Sequence, residues 1–206
     1  MVGGGSGRRF GTPKQYELLG DKRVIDLSRA VAEGASDGVV VVVPVDDAER
    51  EHGVPGGATR SESVRAGLAE VPADASIICV HDAARPFASE ALYERVIEAV
   101  INGADAAVPG VKVTDTIKFV ADGRVISTPD RDTMVAAQTP QAFRAAALRE
   151  AHSEGGGSTD DATLVEDRGG KVVVVSGEER NHKITHPDDL VWARQQISAE
   201  TGGDSR

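Results

Sequence analysis

Cysteine is nearly absent: Cys79 is the only one in 206 residues. No internal disulfide framework is open to the chain, and a reducing compartment suits it. Aromatic residues make up only 3%, so the core must be assembled from Val, Ala, Leu and Ile. No apolar run reaches membrane-spanning length and no secretory leader is legible, which predicts a soluble, cytoplasmic protein with no membrane partner. Positive charge is in the minority, with 23 basic against 33 acidic residues and a net charge of −10. That balance excludes a general nucleic-acid binder, which needs a basic face. It leaves room for a local phosphate site, because Arg8, Arg9 and Lys14 are clustered. Two familiar phosphate loops are missing as well. There is no G-x-x-x-x-G-K-[ST], and the sixth place of G-x-G-x-x-G is Arg8 when counted from Gly3 and Phe10 when counted from Gly5.

What is present alternates between short β runs and helical stretches. Val39–Val45 is almost purely β-branched and reads as a strand buried on both faces. Ile77–His81, Ala106–Pro109 and Lys171–Ser176 read as further strands. Helices are predicted over Val24–Glu33, Ser61–Val71, Ser89–Ile101, Gln141–His152 and Asp188–Ser198. The last is announced by a capping-box spacing from Thr185 to Asp188, with Pro187 in the first turn. The alternation implies a doubly wound, mostly parallel α/β sheet, Rossmann-like in class. One segment interrupts it. Asp122-Gly123 stands between the β runs Thr114–Phe119 and Val125–Thr128, a hairpin signal because a type I′ turn needs positive φ at both central residues. An isolated ribbon is marginal in water, so this arm is expected to pack on a second subunit. A single domain over residues 1–200 is expected, with 113–130 as a dimerising arm and 201–206 as a disordered tail.

The N-terminal segment carries the clearest chemistry. Gly3, Gly4, Gly5 and Gly7 free the backbone to approach a ligand. Successive N–H groups can then curl around phosphate oxygens, with Arg8, Arg9 and Lys14 beside them.

This order, G-x-G-x-R followed by Pro13-Lys14, resembles the signature of nucleotidyltransferases with a pyrophosphorylase-type fold. Pro13-Lys14-Gln15-Tyr16 narrows the resemblance to the 2-C-methyl-D-erythritol 4-phosphate cytidylyltransferase family of the non-mevalonate isoprenoid pathway. Further segments fall in that family's order: the loop Gly56 to Val64, the H-D-A-A-R-P run from His81 to Pro86, Asp115 to Lys118, Asp130-Arg131, Gln138 to Gln141, Thr159 to Ala162, and Asn181 to Thr185. The resemblance covers the chain from about Gly3 to Leu190.

The resemblance implies attack by a substrate phosphate oxygen on the α-phosphorus of CTP, with pyrophosphate leaving. Such a reaction needs alignment and fixed positive charge rather than a protein nucleophile. By resemblance, Arg9, Lys14 and Lys183 are the catalytic cations, with Arg8 as the alternative to Arg9. Gly3, Gly4, Gly5, Gly7, Gly57, Ala58, Ser63, Asp82 and Arg85 would bind the nucleotide. Arg131, Thr139 and Thr159 would hold the polyol phosphate, the first two reaching in from the neighbouring subunit of a homodimer. Asp82, together with triphosphate oxygens, would hold the expected Mg2+. His182 and His186 stand at a spacing that suits zinc only on a helix, and Pro187 argues against one there.

The chain departs from the family in two places. Little chain precedes the glycine loop, so the first strand is expected to be truncated. Arg9 and Lys14 also stand closer together than is usual. Two rival readings share these motifs: a ribitol-5-phosphate cytidylyltransferase, and a non-catalytic nucleotide-binding or dimerising relative lacking the first strand.

Overall fold

The computed structural model describes residues 1–4, 10–153, 157–158 and 160–203. Its strands are β1 (Leu18–Leu19), β2 (Lys22–Arg23), β3 (Val42–Val43), β4 (Val54–Pro55), β5 (Ile77–Val80), β6 (Ala106–Lys112), β7 (Phe119–Ala121), β8 (Arg124–Ser127), β9 (Val135–Ala137), β10 (Gln141–Arg144) and β11 (Val172–Ser176). Its helices are α1 (Val24–Gly34), α2 (Arg60–Glu70), α3 (Glu90–Ile101), α4 (Ala145–Ser153), α5 (Asp161–Glu166) and α6 (Pro187–Gly203).

The central sheet runs in the order β11-β6-β10-β5. Strand β11 lies parallel to β6, whereas β10 is antiparallel to both of its neighbours. Alternate residues leave opposite faces of the sheet. Ile78, Val80, Ala106, Val108 and Phe143 meet α2, α4 and α5 on one side. Cys79, Ala107, Ala142, Val173 and Val175 meet α3 on the other. The fold is therefore α/β with helices on both faces of a mixed sheet.

The start of the chain joins this sheet to β3 and β4. Val2 forms parallel bridges to Val42 and to Asp82. Its N–H donates to the His81 carbonyl at 2.7 Å, and Ala83 N–H donates to the Val2 carbonyl at 3.0 Å. Met1–Gly3 thus lies between β3 and the end of β5, with Val2 forming an isolated bridge to each side rather than a full strand. A cavity of about 900 Å3 extends beyond it, lined by Val40, Val42, Val64, Leu68, Ile78 and Val80 among others.

Two helix starts differ from expectation. Gln141–Arg144 is strand, not helix, with Gln141 facing Val80 and Phe143 facing Ile78 on β5. Pairing on both sides overrides the helical propensity of that stretch, and α4 begins only at Ala145. At α6, Asp189 rather than Asp188 accepts the N–H groups of Thr185 and His186, each at 2.7 Å. The helix runs to Gly203, past Thr201 where the tail was expected.

The hairpin forms about the expected turn, but its first strand is Phe119–Ala121 rather than Thr114–Phe119. Strands β7 and β8 pair antiparallel, and the turn holds Asp122 at φ 49° and Gly123 at φ 74°.

Candidate functional site

Asp82 follows β5 directly, at the carboxyl edge where open α/β sheets bind their ligands. Its side chain is the meeting point of the site. Lys183 Nζ donates to its Oδ2 at 2.5 Å, and the Arg60 guanidinium lies 3.6 Å from its Oδ1. Burial alone would raise the Asp82 carboxyl, but the cations of Lys183 and Arg60 outweigh it and hold the group at about 2. Asp82 is therefore ionised at any physiological pH. Lys14 reaches the same region from the first loop, donating to the carbonyl of Ile184, next to Lys183.

Around this charge cluster the small residues close up. A Cβ on Gly4 would come within 3.2 Å of Ser63 Oγ, and one on Gly57 within 2.3 Å of the Glu62 side chain. Ser63 Oγ accepts from Gly57 N–H at 3.2 Å and donates to the Thr59 carbonyl at 3.0 Å. Thr59 caps α2, with its hydroxyl on Glu62 N–H and the Glu62 carboxylate returning to Thr59 N–H. Gly3 packs against Ala83. Gly57 and Ala58 are exposed at the rim. Lys183 and Arg60 thus flank Asp82, with Lys14 one residue away at Ile184.

Three other expected residues have partners within the chain. Thr139 is buried beside Asp82. Its Oγ1 accepts from Asp82 N–H at 3.0 Å and meets His81 Nδ1 at 3.1 Å. With its hydroxyl engaged in this way, Thr139 fixes the Asp82 backbone. Arg85 donates to the carbonyls of Asn181 at 2.7 Å and Ala137 at 3.3 Å. Its bonds tie the loop after β5 to the Lys183 segment. Arg131 is exposed and donates to the Thr114 carbonyl at the base of the arm, with no bond to the Asp82 cluster. Arg9, Gly5, Gly7 and Thr159 lie outside the described residues.

Other residues carry weight that local sequence reading did not assign. Gln138 and Asn181 bond to each other, Gln138 Nε2 donating to the Asn181 carbonyl and Asn181 Nδ2 to Gln138 Oε1, each at 3.4 Å, while Asn181 Nδ2 also donates to the Thr139 carbonyl and Gln138 Nε2 to the Glu178 carbonyl, each at 2.8 Å. Arg60 and Asp161 pair at 2.6 Å across 101 residues, a separation at which no local pattern signals contact. His81 is buried beside Tyr93, and burial pushes its imidazole down to about 4.

Among the described residues no group of three His, Cys, Asp or Glu side chains could hold a metal ion. His182 instead meets Asp189 at 3.1 Å, just before α6. The lone ionised carboxylate of Asp82 fits Mg2+ that is bound mainly by phosphate oxygens and water.

A family model, 2-C-methyl-D-erythritol 4-phosphate cytidylyltransferase, matches residues 1–199. The chain belongs to this family. A cytidylyltransferase of that name from Syntrophotalea carbinolica is 42% identical over 97% of the chain and 94% of its own length. A bifunctional IspD/IspF enzyme from Anaeromyxobacter dehalogenans is 44% identical over 97% of the chain and 56% of its own length. The chain thus spans about half the length of the bifunctional relatives it matches. The crystal structure of the family member from Thermus thermophilus superposes with a TM-score of 0.82 at 35% identity, covering 96% of this chain and 97% of that one. The 4-diphosphocytidyl-2C-methyl-D-erythritol synthase of Anaerococcus prevotii superposes with a TM-score of 0.84 at 30% identity, covering 96% and 93%. No helix among the described residues of this cytidylyltransferase-family chain is long and apolar enough to cross a membrane.

Proposed function

We propose that the chain transfers the cytidylyl group of CTP to 2-C-methyl-D-erythritol 4-phosphate. The products are 4-diphosphocytidyl-2-C-methyl-D-erythritol, an isoprenoid precursor, and pyrophosphate. A phosphate oxygen of the polyol forms a bond to the α-phosphorus of CTP, and the bond from that phosphorus to the β-phosphate oxygen breaks. Family membership over residues 1–199 supports this reading over the ribitol-phosphate and non-catalytic alternatives.

The observation that carries it is the placement of Lys183 and Arg60 on Asp82 at the edge of the sheet, with Lys14 anchored beside Lys183 at the Ile184 carbonyl. Two anions must meet there, and preorganised cations lower the cost of the charge that develops. The pairing of Lys183 with Asp82 keeps the ammonium pointed into the cleft until a triphosphate competes for it. The loop carrying Gly3 and Gly4, with Arg9 and Lys14 beyond, would hold the phosphates. Gly57, Ala58 and Ser63 would face the cytosine. Thr159 and Arg131 would hold the polyol phosphate, Arg131 from a second subunit. Mg2+, held by Asp82 and phosphate oxygens, would neutralise the triphosphate. The arm exposes Phe119, Val120, Val125 and Ile126, apolar surface that suits a homodimer contact. The net charge of −10 suits small-molecule substrates in the cytoplasm rather than nucleic acid.

Pyrophosphate release by the purified chain with CTP and Mg2+ tests the proposal, with methylerythritol phosphate and ribitol phosphate offered separately. Release with the first alone is expected. Release only with the second would move the assignment to polyol-phosphate activation, and silence with both would overturn the catalytic reading.

A further inference from the structure

Next to Asp82, three helix ends meet in a chain of polar contacts. Arg60 opens α2, Asp161 opens α5, and His152 lies in the last turn of α4. Asp161 is 1% exposed and His152 4%. Arg60 Nη1 lies 2.6 Å from Asp161 Oδ2, while Asp161 Oδ1 lies 3.0 Å from His152 Nε2. The Nδ1 of His152 finds no partner among the described residues, so Asp161 is the group that orients its ring. Burial opposes the charge on Arg60, but the carboxylates of Asp161 and Asp82 more than offset it and raise its pKa above the ordinary value.

The distances are unequal in a way that matters. Arg60 sits in tight contact with Asp161 but only 3.6 Å from Asp82 Oδ1. Among the described residues, the close contact to Asp82 is that of Lys183, through Oδ2. Asp161 therefore holds the guanidinium back. The other oxygen of Asp82 stays clear of a tight ion pair with Arg60, on a residue placed where nucleotide binds. Without the negative charge of Asp161, Arg60 would swing onto Asp82 and close both oxygens in ion pairs.

We infer that Asp161, seated by His152, is a positioning residue that restrains Arg60 and so keeps Oδ1 of Asp82 out of a tight ion pair and able to serve the nucleotide. The inference rests on the reading of Asp82 as a nucleotide-side group, and it commits to a split between the two substrates. Asp161→Asn keeps the size of the side chain and removes its charge. Its kcat/KM for CTP should fall at least about 10-fold, since small misplacements at a reacting site cost roughly 10- to 100-fold, while the KM for the polyol phosphate stays within about twofold. Asp161→Glu, which restores the charge, should recover part of that loss. Combining Asp161→Asn with Arg60→Gln should cost no more than Arg60→Gln alone, because both act through one guanidinium.

The unmodified chain, run in parallel, separates this inference from the reading beneath it: its silence with CTP counts against the proposed reaction, not against the positioning role. If the unmodified chain turns over and a folded Asp161→Asn protein matches it in kcat/KM for CTP, the inference is wrong. Equal losses for both substrates would also overturn it, in favour of a structural role alone. Should Asp161→Asn fail to fold, His152→Ala serves instead. It leaves both carboxylates and Arg60 in place, and it should give a smaller loss confined to CTP; an unchanged kcat/KM for CTP would again reject the positioning role.

Discussion

Removing Lys183 would leave the buried carboxylate of Asp82 facing the more distant guanidinium of Arg60, at 3.6 Å. Lys183→Ala should therefore cut turnover at least about 100-fold, the loss typical of deleting one preorganised donor to a developing charge. Lys14→Ala should do the same, since its ammonium is anchored one residue away at Ile184. Steady-state pyrophosphate release checks both, and near-normal turnover in either would remove that lysine from the catalytic set. His81 supplies a pH signature of its own. Its folded-state pKa of about 4 lies below its ordinary 6.5, so between those values the unfolded chain binds more protons than the folded one. Stability should rise with pH across that window, by roughly 3 kcal/mol in total, because each pH unit between the two values contributes about 1.36 kcal/mol. Melting temperatures from about pH 4 to 7 would show the slope, and His81→Gln should flatten it. Asp82 contributes in the same direction lower down, its depressed pKa losing stability as pH falls from about 4 toward 2.

Among the elements, the short segment Met1–Gly3 is the most consequential, because the glycine loop hangs from it. Its amine donates to the Val40 carbonyl at 2.7 Å, and burial pushes that amine down to about 6. The amine borders a cavity of about 900 Å3 whose walls include Val40, Val42, Val64, Leu68, Ile78 and Val80. Fusing a few Val and Ile residues ahead of Met1 should fill the cavity as a parallel strand and raise the Tm by several degrees, on the scale of about 2–4 °C per kcal/mol for a chain this long. A Gly-Ser extension of equal length should leave the Tm almost unchanged. Equal effects from both would mean that the cavity does not accept a strand. The hairpin turn was legible in the sequence, because Asp-Gly turn chemistry is local. β10 was not legible. Pro140 followed by Gln-Ala-Phe-Arg-Ala-Ala-Ala satisfies helix rules, and only pairing with β5 and β6 makes its first residues a strand. The site divides along the same line. Lys14, Ser63, Asp82 and Lys183 could be named from motifs, whereas the engagement of Thr139 with Asp82 and of Arg60 with Asp161 depends on contacts between distant segments.

At the scale of the whole molecule the deciding residue is Arg131. Within its own chain it is exposed, bonded to Thr114 at the base of the arm, and makes no bond to Asp82. If it binds the polyol phosphate, it must do so in another copy, and the apolar faces of Phe119, Val120, Val125 and Ile126 give the arm a reason to cross. Ile126→Asp on this face should shift the protein toward monomer in sedimentation, together with loss of turnover. The sharper test is complementation. Arg131→Ala and Lys14→Ala proteins should each be nearly inactive. In a mixed dimer with shared sites, one site pairs an intact Lys14 with an intact Arg131 from the other chain, while the second site lacks both. A random equal mixture should then recover about a quarter of the wild-type rate, because half the dimers of a two-fold assembly are mixed and each has one complete site. Sites confined to one chain would give no recovery in mixed dimers verified by differential tagging, and Arg131 would then be acting at the foot of its own arm.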